Sequence, residues 1–489
     1  MSVFNSGDEV EVRERRLHSI LSYSGTAKDL NEKSSHRQLK CTGRYYGQCG
    51  DCAVCPAESV VDHIRETAVI NHAPVGCAVN TSMHNVSSRI ISEVKGLKGH
   101  KVQVISTNIQ EKDTVYGASE KLRKAIFEAD RRFKPKVIFI TTSCASGIIG
   151  EDIESVADEA EDELGYPVVP VYCEGFKAKI WSSGFDAAFH GLLRKVITEP
   201  RERKEDVVNI FNFLGSNTFT PILKKLNLKA HYVVPLNSLE ELESITEAAC
   251  TATICETLSS YVAASLEELF GIPEVKAPAP FGMDWTDQWI REIARLTNRE
   301  ELAEEVIAQE HEAIREELED LRSKLSGKKV YVISGDSFSH NMTNIAKDLG
   351  LEVIGATSLH HDQQTDSPQQ PNTLEALIDS SGDIPNFTVC NKQPYQIIKI
   401  VKKLNPDILI VRHVGLTTIG TRLGIPAIME SDANFSVGYE GVLRMGRRLY
   451  EAIRTKKLAE NIAKHSKLPY TKWWLEQEDP LYFEREARG

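Results

Sequence analysis

Apolar and polar positions along this chain fall into two alternating periods. Short runs rich in Val, Ile and Phe are separated by stretches of about 10–15 residues with apolar positions every three or four. Val102–Thr107 is the first clear strand pattern, followed by a helical pattern over Gly117–Arg132. Lys136-Val-Ile-Phe-Ile-Thr-Thr reads as the next strand, Asp152–Leu164 as a helix and Val168–Cys173 as a strand. Such alternation predicts parallel sheets with right-handed crossovers. The charged stretch Thr198–Asp206 marks a boundary, and a second unit starts at Val207. It continues through Tyr232-Val-Val-Pro and a helix over Glu256–Phe270. The charged segment Arg299–Lys324, with its (i, i+4) charge pairs, reads as a solvated connecting helix. A third unit follows, with strands Val330–Ser334, Glu352–Ala356 and Asp407–Val411 and helices Asn341–Leu349 and Tyr395–Leu404. The expected organisation is a polar N-terminal arm over 1–40, then three Rossmann-like α/β domains over 41–200, 201–328 and 329–489, the last with a C-terminal tail.

Composition narrows the class. A chain of 489 residues with 41% hydrophobic and 26% charged content is an ordinary globular protein of several domains. Its net charge of −12 argues against a general nucleic-acid binder, which needs a basic face. No apolar stretch reaches the length of about 18 residues that spans a membrane. The N-terminus, MSVFNSGDEVEVRERR, lacks the apolar core of a secretory signal, so a cytoplasmic location is expected. No Gly-x-x-x-x-Gly-Lys-Ser/Thr loop and no Gly-x-Gly-x-x-Gly after a strand appears, so any ATP would be bound by another protein.

The ten cysteines carry the chemistry. Disulfides do not suit a reducing compartment. Cys41, Cys49, Cys52 and Cys55 lie within a short N-terminal stretch, and C-x-x-C-x-x-C spacing favours metal. No second C-x-x-C stands at zinc-ribbon spacing. Cys77, in His72-Ala-Pro-Val-Gly-Cys, has a glycine beside it that permits close backbone approach. Cys144 directly follows a strand pattern, the end of a parallel sheet at which ligands bind. Each of these two, taken alone, is more often a small buried residue than a ligand. Iron–sulfur clusters need thiolates from several such segments.

These segments resemble the cluster loops of the nitrogenase molybdenum–iron protein alpha chain. His72-Ala-Pro-Val-Gly-Cys77 is similar to that family's P-cluster motif. Cys144-Ala-Ser-Gly-Ile-Ile-Gly-Glu-Asp-Ile and Cys173-Glu-Gly-Phe-Lys are similar to its next two motifs, and Cys255 stands at the family's spacing before Gly271-Ile-Pro. The resemblance covers about residues 45–455. It implies a nitrogenase component 1 type fold of three parallel-sheet domains, an α2β2 arrangement with a beta-type subunit, and an ATP-hydrolysing iron protein as electron donor. It implies an interface cluster, P-cluster-like or [4Fe–4S], held by Cys77, Cys144 and Cys52, with Cys49 and Cys55 as alternatives to Cys52. A second, complex iron–sulfur cofactor of unassigned heterometal would sit on Cys255.

The chain departs from the nitrogenase pattern at the second site. No histidine occupies the stretch Ile428-Met-Glu-Ser-Asp, so Glu430 or Asp432 would ligate there, or His360, His361 or His413 from neighbouring strand ends. Trp181 and Phe185 replace the family's Gln and His, and Asn85 its Arg. Two rings there make an apolar pocket, or simply pack a helix on its sheet. Glu174, His360 and His361 are the candidate proton donors. These departures imply a small substrate other than dinitrogen. The nitrogenase-like methylthio-alkane reductases, which cleave C–S bonds, are the resembling enzymes. A cofactor-assembly scaffold, and a tetrapyrrole reductase of the dark-operative protochlorophyllide type, are the rival readings.

Overall fold

A computed structural model describes residue 4 and residues 22–36, 38–39, 52–177, 181–211, 217–361, 372–390, 394–412, 415–431 and 435–476. Cys41, Cys49, His413 and Asp432 lie outside these residues.

The described chain forms three sheets, and its contacts group into two compact units. One unit takes in residues 50–217 and 227–274 and holds two parallel sheets. The first has β2 (Thr67–His72), β3 (Val104–Ser106), β4 (Val137–Thr142) and β5 (Val168–Val171), in the order β3-β2-β4-β5. All six positions of β2 and of β4 are buried, as expected of central strands covered on both faces. The helix Ser119–Phe133 buries Leu122, Ala125, Ile126 and Ala129, a stripe at helical spacing, against Ala68, Ile70, Ile138 and Ile140. The second sheet has β6 (Lys204–Phe211), β7 (Lys229–Val233) and β8 (Ala248–Thr253) in the order β7-β6-β8.

The strand order reverses between β2 and β4, and again between β6 and β8. Loops leaving the carboxyl ends of the two strands at such a reversal part to opposite faces and open a crevice. Cys77 and Cys144 follow β2 and β4, and Cys255 follows β8.

The other unit takes in residues 18–49, 218–226 and 275–489. Its sheet has the order β1-β11-β10-β9-β12-β13, with β1 (Ser22–Gly25), β9 (Lys329–Ser334), β10 (Glu352–Ser358), β11 (Phe387–Cys390), β12 (Ile408–Val411) and β13 (Ala427–Met429). Only β1 is antiparallel, pairing Ser22 to Gly25 with Cys390 to Phe387. Part of the expected N-terminal arm is thus an edge strand, followed by the helix Ala27–Ser35, which buries Ala27 and Leu30. Local polarity hid this, because the pairing partner lies hundreds of residues away.

A second difference concerns the expected solvated helix. Glu300–Leu325 buries Ala303, Val306, Ile307, Ile314, Leu318, Leu321 and Leu325. A narrow apolar stripe runs through its dense charge and packs against the helix Gly438–Arg454. Among the described residues, no helix is long and apolar enough to cross a membrane.

Candidate metal centre

The loop after β2 carries Cys77 in a short 3-10 turn, Val75–Asn80, that leads into the helix Thr81–Val94. For this site we label the helices α1 (Val54–Val61), α2 (Thr81–Val94) and α3 (Cys144–Ile149). Cys144 opens α3 directly after β4. Ser143 caps that helix by accepting the Ser146 amide, and the Ser146 hydroxyl accepts the Ser143 amide in return (2.8 Å).

Polar side chains tie the two loops together. The Ser143 hydroxyl donates to the His72 carbonyl at 3.1 Å. His72 Nε2–H donates to Glu151 Oε2 at 2.8 Å, and the Thr107 hydroxyl sits 3.2 Å from His72 Nδ1. Burial holds the His72 ring below its ordinary pKa, opposed by the Glu151 carboxylate. Glu151 also accepts from the Ala118 amide and, at 3.2 Å, from the Ser119 hydroxyl. The histidine of the first cysteine motif and the glutamate of the second therefore act as a buckle between Cys77 and Cys144.

Cys52 joins them from the start of α1. A methyl group at Gly175 would lie 2.9 Å from Cys52 Cβ, 3.5 Å from Cys52 Sγ and 3.6 Å from Cys144 Sγ. Two sulfurs from distant segments thus flank one bare glycine. Burial, and next the neighbouring Cys52 and Cys144 thiols, pushes the Cys77 thiol up. All three cysteines are free; Cys52 and Cys144 are exposed and Cys77 is half-buried. A thiol-only donor set from three segments, around a position with no side chain, fits an iron–sulfur cluster. Three thiolates leave such a cluster one ligand short.

Around the sulfurs the surface is apolar. Val75, Val79, Met83, Val86, Ile90 and Val94 are each more than half exposed, and their spacing makes one stripe along the turn and α2. Ile148 and Phe176, at 77% and 53% exposure, stand beside Cys144 and Gly175 in the chain.

The family profile described as Nitrogenase component 1 type Oxidoreductase matches residues 52–454. The chain belongs to this family. It is 27% identical over 420 residues to the nitrogenase iron-molybdenum cofactor biosynthesis protein NifE of Methanococcus maripaludis, covering 83% of each chain. It is 30% identical over 360 residues to the nitrogenase molybdenum-iron protein alpha chain of Clostridium pasteurianum, covering 71% of this chain and 67% of that one. The solved structure of nitrogenase Cp1 at pH 6.5 shares the fold, with a TM-score of 0.69 at 23% identity over 88% of this chain and 92% of that one. The protein is thus an alpha-type member of the nitrogenase component 1 family, with relatives named both as enzyme subunits and as cofactor-biosynthesis proteins.

The remaining residues expected from the sequence divide between the two units. Cys255 is buried at the start of the helix Glu256–Phe270, where a helix favours negative charge. Trp181 and Phe185 meet edge-on at 5.8 Å, with Phe185 buried on the helix Ser183–Lys195. Asn85 is exposed and accepts the Val102 amide at 3.1 Å. Glu174 is buried with its Cγ against Gly147 of α3 and a Lys177 ammonium 3.7 Å away. Cys173 is structural: its thiol donates to the Thr142 carbonyl. Cys55 is half-buried, and its amide donates to the Cys52 carbonyl at 3.1 Å.

In the other unit, His361 Nε2 is 2.8 Å from the Ser34 hydroxyl and His361 Nδ1 3.5 Å from Asp336 Oδ1. Burial alone would raise Asp336, but His361, His340 and His360 outweigh it and hold the carboxyl below its ordinary pKa. Glu430 is fully buried; one oxygen accepts the Ser436 amide and the other an Arg448 N–H at 2.8 Å. Both oxygens are therefore taken by protein donors. Burial nevertheless raises its pKa, with Arg448 opposing. Sequence reasoning missed Arg448, and it missed the buried acids Glu58 and Asp62, which stand one turn apart in an otherwise apolar helix.

Proposed function

We propose that this chain is the alpha-type subunit of a nitrogenase-like iron–sulfur reductase. It pairs with a beta-type subunit in an α2β2 complex, takes electrons from an ATP-hydrolysing iron protein, and acts on a small substrate other than dinitrogen. The observation that carries this reading is the meeting of Cys52 and Cys144 at Gly175, with Cys77 near enough to feel both thiols. Cys52, Cys77 and Cys144 would hold the cluster, and a bound cluster supplies one-electron transfer. The chain's own part is positional. The His72–Glu151 buckle and the Ser143 cap fix the loops that carry two of the thiols. Gly175 leaves the space beside Cys52 and Cys144. The stripe from Val75 to Val94 offers the beta-type subunit an apolar surface that would shed water on docking and complete the ligand set.

The exclusion of dinitrogen rests on two features. Trp181 and Phe185 put aromatic rings where the resembling enzymes carry an amide and a proton donor. Glu430 stands where they carry a ligating histidine, and its oxygens are engaged internally. Aromatic rings at positions 181 and 185 suit a small volatile sulfide, whose C–S bond would be cleaved reductively.

A scaffold for cofactor assembly is the second reading. The Glu430–Arg448 pair favours it, because the carboxylate standing in for the resembling enzymes' ligating histidine is already held by protein donors, which suits a cluster held loosely enough to be given up. Anaerobic co-expression with the beta-type partner separates the two. A reductase gives sustained ATP-dependent substrate reduction with its iron protein. A scaffold transfers its cluster to an apo-enzyme and shows no turnover. A colourless, iron-free complex rejects both.

A further inference from the structure

Helix α1 carries Glu58, and Asp62 caps its C-terminal end. Glu58 and Asp62 are four residues apart, one turn of helix, in a segment whose other buried residues are Val, Pro and Ala. They are 1% and 3% exposed, and His84, reaching in from α2, is 3% exposed. One ligand-capable atom from each of the three lies within 4.8 Å of the other two.

The hydrogen bonds around them leave matching vacancies. Asn71 Nδ2 (2.5 Å) and the Thr141 hydroxyl (3.3 Å) both donate to Glu58 Oε1, and Glu58 Oε2 has no partner. His84 Nδ1 bonds Asp62 Oδ2 at 2.7 Å, and Asp62 Oδ1 has none. Two buried carboxylates at this range repel each other unless a cation or a proton intervenes.

We infer that Glu58, Asp62 and His84 form a binding site for one divalent transition-metal cation, distinct from the thiol centre. Two carboxylate oxygens and an imidazole nitrogen, with no thiolate, suit Mn(II), Fe(II) or Zn(II). A cation among them gives both orphaned oxygens a partner and cancels the repulsion between the acids. Small side-chain rotations bring the donors to the usual ligand distances of about 2.0–2.2 Å. Asn71 and Thr141 then act as the outer partners that orient the Glu58 carboxylate. No cysteine takes part, so the inference does not rest on the cluster reading.

The test uses the full chain purified anaerobically with its partner. Mn(II) is the probe, because it prefers oxygen and nitrogen donors to thiolates. The expected result is saturable uptake of one Mn(II) per chain, with the nitrogen modulation of a coordinated imidazole in its pulsed EPR spectrum. Glu58→Gln, which keeps the shape of the neutral acid, weakens binding by about tenfold or more. His84→Gln removes the nitrogen modulation. Cys144→Ser leaves Mn(II) uptake unchanged, so failure of the thiol centre and failure of this site are read separately. The inference is overturned if wild type takes up no more Mn(II) than Glu58→Gln, or if its bound Mn(II) shows no imidazole nitrogen.

Discussion

Gly175→Ala places a single carbon where Cys52 and Cys144 leave no room. The new Cβ would stand 2.9 Å from Cys52 Cβ, with both Cys52 Sγ and Cys144 Sγ within 3.6 Å. A relaxed carbon–carbon contact is about 3.5–4.0 Å, so Cys52 or the 175 backbone must give by roughly 0.6–1.1 Å. Metal ligation tolerates displacements of only about 0.2 Å. Gly175 is not among the glycines with left-handed backbone, so alanine is conformationally allowed and the steric push is the whole perturbation. The cost in stability is that of local overpacking, about 1–3 kcal/mol, which in a unit of this size lowers Tm by about 2–4 °C per kcal/mol. Metal retention should suffer far more. We expect iron and acid-labile sulfide per chain to fall by about half or more in anaerobic preparations, given that tolerance. Gly99→Ala, where the added carbon meets nothing within 4 Å, is the matched control and should leave both unchanged. Full wild-type iron and an unaltered EPR spectrum in Gly175→Ala would refute the placement of Cys52 and Cys144 as ligands.

Other outcomes follow from the same structure. Cys52→Ser should strip the interface iron while Cys55→Ser retains most of it, read by iron assay, because Cys52 is the thiol that shares Gly175 with Cys144. Met83→Glu, on the exposed face of α2, should abolish co-purification with the beta-type partner while circular dichroism of the chain stays native. Arg448→Met strands the buried Glu430 carboxylate and should destabilise its unit by about 3 kcal/mol in denaturant titration, the low end for a broken buried pair because Arg448 is partly exposed. Burial raises the Asp348 carboxyl from 3.8 to about 6, against the opposing Met283 amide. The unfolded chain therefore releases this proton first, and stability falls as pH climbs from about 4 to about 6, by up to roughly 3 kcal/mol. Asp348→Asn should flatten that slope in urea melts taken across the same range.

The parallel-sheet fold was legible because central strands announce themselves locally. Val137-Ile-Phe-Ile-Thr-Thr is apolar over its first four positions, and both faces are covered. The helix Glu256–Phe270 likewise follows directly from the sequence pattern. The cysteine loops were legible for a related reason, since a thiol just past a strand lands at the carboxyl edge of its sheet. What escaped depends on partners distant in sequence. β1 is a strand only because β11 accepts it. The stripe from Ala303 to Leu325 is diluted by charge, and its burial requires the helix Gly438–Arg454. Glu430 read as an open ligand because nothing local announces Arg448, eighteen residues further on, as its counter-ion. Glu58 and Asp62 carried a usable signal: two acids a turn apart in an apolar helix have no solvent face to occupy.

The central claim is that Cys52, Cys77 and Cys144 grip a single iron–sulfur cluster. Mössbauer spectroscopy of 57Fe-enriched complex, wild type beside Cys77→Ser, tests it most directly. The account predicts that one set of thiolate-bound, sulfide-bridged iron sites disappears in the variant while any signal from the Cys255 site persists. Identical spectra from the two proteins, or a wild type without such iron, would contradict it.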